Sequence, residues 1–198
     1  MPTLLRRGRP VVTVALVAAC VAVGLASGLG RSGEAVTPLL IGTPGSALFS
    51  DIARGEVWRL VTPMLLHFGM LHLLFNMLWL WDLGRLIELI RGSGFLLGFV
   101  AASGVVSNVA QYAITGNPLF GGMSGVVYAL LGYVWMQGRH NPRFGYVLHK
   151  STVAMMLVWY VLCWTGLLGP IANWAHTAGL LLGVAWGYAQ AKSRPHND

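Results

Sequence analysis

The sequence predicts an all-α membrane protein, a polytopic bundle of six transmembrane helices whose first external loop lies partly in the bilayer. Three observations carry that expectation. Of the 198 residues, 56% are apolar and 10% are charged, against about a quarter charged in an ordinary soluble domain. The apolar residues collect into six long runs, and the mean hydropathy is +0.65. The basic residues sit at the ends of those runs, on alternating connections. A single domain is expected over residues 1–198, with its core at 11–191 and short tails. A chain of this kind has no room for a separate soluble catalytic unit, so any chemistry must use groups in or beside the bilayer.

The first run, Val11 to Leu29, follows Arg6, Arg7 and Arg9. Its basic start and the box Val17-Ala18-Ala19-Cys20 also describe a lipoprotein leader. The apolar character continues past Cys20 to Leu29, which favours an uncleaved anchor. From Gly30 to Thr62 runs a connection rich in Gly, Pro and Ser, interrupted by Leu39-Leu40-Ile41, Ala47-Leu48-Phe49 and Val57-Trp58-Arg59-Leu60. Trp beside Arg suits the interface, where the ring sits at headgroup depth while the guanidinium reaches water. The remaining runs are Met64 to Trp81, Phe95 to Ala113, Met123 to Met136, Val147 to Leu168 and Trp174 to Ala191. A span needs about 20 apolar residues, or about 17 at the short end, so the fourth run is too short. Its Gly-rich start would lie below the membrane surface, where non-helical backbone requires cover by protein or a wet cavity.

Arg6, Arg7 and Arg9 precede the first run, Arg85 and Arg91 follow the second, Arg139, Arg143 and Lys150 separate the fourth from the fifth, and Lys192 and Arg194 follow the sixth. These segments fall on one side, which makes both termini cytoplasmic by the positive-inside rule. The opposite side receives Arg31, Arg54 and Arg59, balanced by Glu34, Asp51 and Glu56. The net charge of +7 therefore reads as orientation in the membrane, and a nucleic-acid partner is excluded because no basic cluster is interleaved with aromatics. Cys20 and Cys163 both lie in apolar runs, too few for a disulfide framework or a zinc site, and neither a metal nor a cofactor is expected.

Ser124 opens the fourth run in Phe120-Gly121-Gly122-Met123-Ser124-Gly125, and His176 opens the sixth in Ala175-His176-Thr177-Ala178-Gly179. Ionisable groups within spans are costly and mark functional sites by default. A serine hydroxyl becomes a nucleophile when a base takes its proton, and histidine suits that role near neutrality. No Asp or Glu stands near the external end of the spans, so a dyad is expected rather than a triad with a carboxylate. His176, Gly179 and Gly183 share one helix face, and Gly125, Ala129 and Gly132 make a similar small face on the fourth run. If these faces meet, Ser124 and His176 meet, and Tyr128 one turn below packs on the imidazole. The unpaired backbone N–H groups at the start of the fourth helix, with the side chains of His72 and Asn76, form a candidate oxyanion hole. Ser107 and Gln111 are candidates for holding the hydrolytic water, although plain bonding between helices is the ordinary role of such pairs. His67, five before His72, is expected on another face. The soluble-hydrolase motif G-x-S-x-G is absent because Val126 fills its last position, no H-E-x-x-H occurs, and paired Asp residues are missing from the spans.

Trp58-Arg59, His72-x-x-x-Asn76, Gly122-x-Ser124-Gly125 and Ala175-His176-x-x-Gly179-x-x-x-Gly183 occur in that order. Together they resemble the rhomboid intramembrane serine proteases over roughly Gly55 to Gly187, and especially the bacterial six-span form without an appended cytoplasmic domain. The resemblance implies Ser124 as nucleophile and His176 as general base. It implies His72, Asn76 and the backbone of Met123 and Ser124 as stabilisers of the oxyanion, with Tyr128, Gly122 and Gly179 supporting them. It implies that Trp58 and Arg59 hold the first loop, that Glu88 ties helix ends on the cytoplasmic side, and that the fifth span with the loop Leu168 to Asn173 is a lateral gate and cap. The implied substrates are single-span membrane proteins cut in or near the span, in the bacterial inner membrane, with the site open to the periplasm. Two rivals follow from other classes. An inactive rhomboid-like escort protein predicts loss of Ser or His, and a haem or transport protein using His67, His72 and His176 predicts facing histidines and a pigment.

Overall fold

Apolar run and helix coincide closely for the third, fourth and sixth segments and differ for the others. In the computed structural model, which describes residues 8–193, the α-helices longer than one turn are α1 (Val11–Ala26), α2 (Met70–Trp79), α3 (Arg85–Arg91), α4 (Ser93–Thr115), α5 (Ser124–His140), α6 (Lys150–Trp164) and α7 (Asn173–Lys192). Arg6, Arg7 and Arg194 lie outside the described residues. No strand occurs among the described residues. Length and composition alone single out Ser93–Thr115 as a helix able to cross a bilayer, with Val11–Ala26 and Lys150–Trp164 as shorter apolar helices. A count of six spans therefore does not follow from helix length.

Bounds of the first, second and fifth runs depart from expectation, those of the first two where the backbone breaks or changes its helical form. Helix α1 stops at Ala26, because Gly28, Leu29 and Gly30 all take positive φ. The second run does not begin as a helix at Met64; Thr62–Leu65 form a 3₁₀ turn, and Gly69 at φ 111° separates it from α2. Beyond Trp79 the chain continues through a π-helical turn, Leu80–Gly84, directly into α3 and on to Arg91. Helix α6 is shorter at both ends than Val147 to Leu168.

Helix α5 is the axis of the fold, with residues 125–134 all buried. A helix apolar on every side can be stable only with neighbours all round it. Helix α7 lies against it so closely that a Cβ on Gly179 would stand 2.0 Å from the Gly125 carbonyl oxygen, and one on Gly183 2.0 Å from that of Ala129. These glycines are the reason the two backbones can meet. At the end remote from Ser124, Phe95, Phe99, Tyr133 and Trp186 pack ring on ring.

The segment before α2 is tied down by its polar groups. Arg59 donates through Nη1 to the carbonyls of Thr37 and Leu40, both at 2.8 Å, and through Nε to Glu56. Asp51 accepts from the Thr43 N–H at 2.5 Å and pairs with Arg54. The backbone hydrogen bond from Thr43, with the charges of Arg54 and Arg59, holds the Asp51 carboxyl below the usual carboxylate range against the opposing effect of burial. Glu88 accepts from the N–H groups of Val12 and Thr13 at 2.8 Å each and from the hydroxyls of Thr13 and Ser93 at 2.7 Å each. It thereby caps the free start of α1 and joins it to α3 and α4.

Candidate active site

Ser124 is the first residue of α5 and His176 stands in the first turn of α7, so the close α5–α7 packing brings both to one end of the bundle. His176 Nε2 lies 2.7 Å from Ser124 Oγ. With the serine hydroxyl donating to Nε2, the imidazole proton resides on Nδ1, and that atom is buried without a hydrogen-bond partner. Among the described residues no carboxylate bonds to the ring. Tyr128 packs against the ring, its centroid 4.9 Å from that of His176 at an interplanar angle of 40°, a tilted contact rather than a parallel stack.

The turn ahead of Ser124 is held by the irregular segment before α2. The Gly122 N–H donates to the Pro63 carbonyl at 2.9 Å. Gly122 has φ 126°, and a Cβ there would lie 2.7 Å from His72 Nε2 and Cε1 and 3.7 Å from Ser124 Oγ. Only glycine serves both demands, the left-handed backbone and the space taken by the imidazole. His72 Nδ1 accepts from the Phe68 N–H at 3.4 Å, which leaves Nε2 as the protonated nitrogen, a donor directed at the turn beside Ser124. Asn76 gives one amide hydrogen to the His72 carbonyl at 2.8 Å and keeps a second. The Ser124 N–H, at the start of α5, has no partner within the helix.

Met123 departs from expectation. Its N–H points to His67 Nε2 at 3.5 Å, so it is engaged inside the protein rather than free for an oxyanion. His67 was expected on another face; it lies instead in the non-helical segment before Gly69, where helical spacing has no meaning. Its Nδ1–H donates to the Leu65 carbonyl at 3.1 Å and its ring centroid is 5.1 Å from that of His72. The one sequence signal for this was Gly69, a break between His67 and His72.

Ser107 and Gln111 part company. Gln111 Oε1 accepts from the N–H groups of Trp174 and Ala175, at 3.0 and 3.2 Å, and so caps the start of the helix that carries His176. Ser107 Oγ is buried and unpartnered. It lines a recess of about 10 Å³ with Gly122, Ser124, Gly125 and Ala175, about the room one water needs. Of the two, Ser107 alone keeps its polar atom free toward the recess, because the Gln111 carbonyl oxygen is engaged by backbone. Asn108, one residue beyond Ser107, donates to the Leu60 carbonyl at 2.9 Å and fastens the loop over this recess.

Fold and site together define a helical membrane protein with a half-buried serine and a buried histidine paired at one end of its central helix. The chain belongs to the rhomboid family: the sequence profile of the rhomboid domain matches residues 54–193. It is similar to the rhomboid protease GlpG of Salmonella choleraesuis (strain SC-B67) and of Salmonella paratyphi A (strain ATCC 9150 / SARB42), each 38% identical over 189 residues, covering 95% of this chain and 66% of the relative. The same identity and coverage hold for rhomboid protease GlpG of Salmonella typhi. The chain spans just under two thirds of the length of these relatives, 66%.

Proposed function

We propose that the chain is an intramembrane serine endopeptidase that hydrolyses a peptide bond in or near the transmembrane segment of single-span membrane proteins. The observation that carries this is the 2.7 Å approach of His176 Nε2 to Ser124 Oγ beside a water-sized recess. Ser124 Oγ attacks the scissile carbonyl as its proton passes to Nε2. The oxyanion that forms meets the Ser124 N–H, His72 Nε2–H and the second amide hydrogen of Asn76, donors already in place before the reaction. His176 returns the proton to the leaving amine, which departs and leaves an acyl-enzyme. Water from the Ser107 recess then gives a proton to His176 and its oxygen to the acyl carbon; the acyl C–O bond breaks, and His176 passes that proton to Ser124 Oγ as the acid product leaves.

A helix hides its carbonyls in internal hydrogen bonds, so the substrate must unwind near Ser124 before attack. In this reading the protein is one domain of six spans in a bacterial inner membrane, with the first loop partly embedded. Both termini are cytoplasmic and the site opens to the periplasm, as the loop charges favour. Helix α6 and the loop from Leu168 to Asn173 act as lateral gate and cap. The lipid exposure of Met155, Val158, Trp159 and Val161 on α6 supports this, as does the light contact of Trp159 with Phe75 of α2 at 6.2 Å. No cofactor takes part.

The test is covalent labelling of purified protein by a fluorophosphonate or isocoumarin probe, with Ser124→Ala and His176→Ala as comparisons. Labelling of the unsubstituted protein and its loss in both variants is expected. Labelling that survives Ser124→Ala rejects the nucleophile, and an unreactive parent chain returns the reading to a span-binding escort protein.

A further inference from the structure

We propose that the Tyr160 hydroxyl is the latch that holds α6 against α7 and sets how readily a membrane span reaches the catalytic pair, an inference that rests on the proteolytic reading of Ser124 and His176. Little else holds α6 to the bundle. Of its 15 residues, Val153, Met156 and Cys163 are buried, and most of the large apolar side chains between them face outward. Among the described residues three side-chain hydrogen bonds tie it to the rest of the protein. Tyr160 meets Thr177 Oγ1 at 2.7 Å, Asn173 Nδ2 donates to the Cys163 carbonyl at 3.0 Å, and the Tyr128 hydroxyl reaches the Met156 carbonyl at a long 3.4 Å.

The first two form a circuit whose direction can be read. Thr177 has one hydroxyl hydrogen, and it is directed at the Asn173 carbonyl at 2.9 Å. Thr177 Oγ1 is therefore the acceptor and the Tyr160 O–H the donor. The path runs from Tyr160 on α6 to Thr177 and Asn173 on α7, then back through the Asn173 amide to the Cys163 carbonyl of α6. It closes the ends of both helices together at the level of the catalytic pair. Helix α7 is the fixed member, because Gly179 and Gly183 are seated on the α5 backbone; α6 is the member that can leave.

Two neighbours place the latch beside the base. Thr177 directly follows His176 in the chain. The Tyr160 ring packs edge-on against Tyr128, centroids 5.7 Å apart at 73°, and Tyr128 lies against His176. A span that displaces α6 to approach Ser124 must first break the Tyr160–Thr177 bond. Spans are admitted according to how well they compete with that closure.

The test uses the full chain in phosphatidylethanolamine/phosphatidylglycerol vesicles and compares Tyr160→Phe, Thr177→Val and the double variant. Phe keeps the ring against Tyr128 and removes only the donor. Backbone amide exchange over residues 157–172 is expected to quicken about fivefold, the factor that one net hydrogen bond is worth, with α7 unchanged. Ser124 labelling by a small fluorophosphonate stays at the parent rate. A synthetic single-span peptide carrying small residues and a proline near its outer end is cleaved about fivefold faster below saturation, through a lower KM with kcat held. The double variant matches the singles, since they remove one bond. Unchanged exchange in Tyr160→Phe overturns the latch; so does faster exchange with unchanged cleavage, an additive double variant, or loss of labelling, which would place the hydroxyl in the support of the site itself. A parent protein that neither labels nor cleaves overturns the proteolytic reading instead, before any variant is compared, and the exchange rates still decide whether the tie exists.

Discussion

At the residue scale, hydrogen-bond direction separates groups that the sequence presented as equals. His72 and Asn76 entered as a pair of donors, yet the Phe68 N–H on Nδ1 fixes the His72 tautomer and turns Nε2–H toward Ser124, whereas Asn76 shares its amide with the His72 carbonyl. Replacing His72 by Ala is therefore expected to lower kcat by about 10²–10³, the range for loss of one oxyanion donor, with the protein still folded and KM little changed. Steady-state cleavage of a single-span peptide measures it; a fall confined to KM removes His72 from the transition state. Gln111 and Ser107 divide in another way. Gln111→Ala takes the acceptor from two N–H groups at the start of α7 and should cost about 1 kcal/mol of stability, as loss of a helix cap does. Ser107→Ala removes only an unpartnered hydroxyl and should leave the melting temperature in place while slowing release of the acyl-enzyme. Equal melting temperatures for the parent and Gln111→Ala would contradict the cap.

At the element scale, the α5–α7 interface decides whether Ser124 and His176 meet. A methyl group at Gly179 or Gly183 would fall on a carbonyl oxygen of α5, an atom that cannot turn aside. Each Gly→Ala change is expected to destabilise by about 1–3 kcal/mol or more, the cost of overpacking, and to abolish activity as Ser124 and His176 part. Gly98→Ala is the control: it lies mid-helix in α4 with nothing within 4 Å of the added carbon, and it should be neutral or stabilising by up to about 1 kcal/mol. Thermal unfolding in detergent checks all three, and a Gly183→Ala protein as stable as the parent would deny the close packing. This interface was legible in the sequence, since small residues at helical spacing on two runs state which faces can approach. The segment from Pro63 to Gly69 was not. Its 3₁₀ turn is made possible by partners distant in the chain, the Gly122 N–H on Pro63 and Asn108 on Leu60, and an apolar composition alone read it as the start of a span. His67 was assigned to another helix face for the same reason, although its hydrogen bonds to Leu65 and Met123 are structural ones. The loop that precedes it has its own check. Because the folded pKa of Asp51 lies below its ordinary value, its contribution to stability is complete above the ordinary carboxylate pKa of about 3.9 and is lost as pH falls through the folded value. Melting temperatures of the parent should drop through that acid window more steeply than those of Asp51→Asn, and parallel curves would exclude the effect.

At the scale of the whole molecule, the lengths of the outer helices bear on how a substrate comes within reach. Helix α1 has 16 residues and α6 has 15, about 24 and 22 Å at 1.5 Å per residue, while the hydrocarbon core of an ordinary bilayer is about 30 Å thick. Both helices turn much of their surface outward, with Val11, Val14, Val21 and Leu25 exposed on α1 and Val158, Trp159 and Val161 on α6. In the proposed six-span arrangement, lipid beside them thins to match, at a cost of a fraction of a kcal/mol per Å. In the proteolytic reading, a substrate span of ordinary length that enters this thinned rim is longer than the hydrocarbon around it. Its outer end is pushed into the polar region, where water competes for its backbone and the helix can unwind beside Ser124. The sequence announced the same tension in its short fourth run, but the short outer helices are α1 and α6, whose C-terminal ends are followed by positive-φ residues, Gly28 to Gly30 after α1 and Gly166 after α6, rather than by a loss of hydropathy. Cleavage of a single-span peptide should accordingly be faster in myristoyl than in erucoyl phosphatidylcholine vesicles, because the thick bilayer raises the cost of the rim that unwinds the substrate. Fluorophosphonate labelling of Ser124, which needs no unwinding, should be the same in both. If the two lipids gave equal cleavage rates, the short perimeter would have no part in substrate entry, and unwinding would have to be driven by contacts at the site itself.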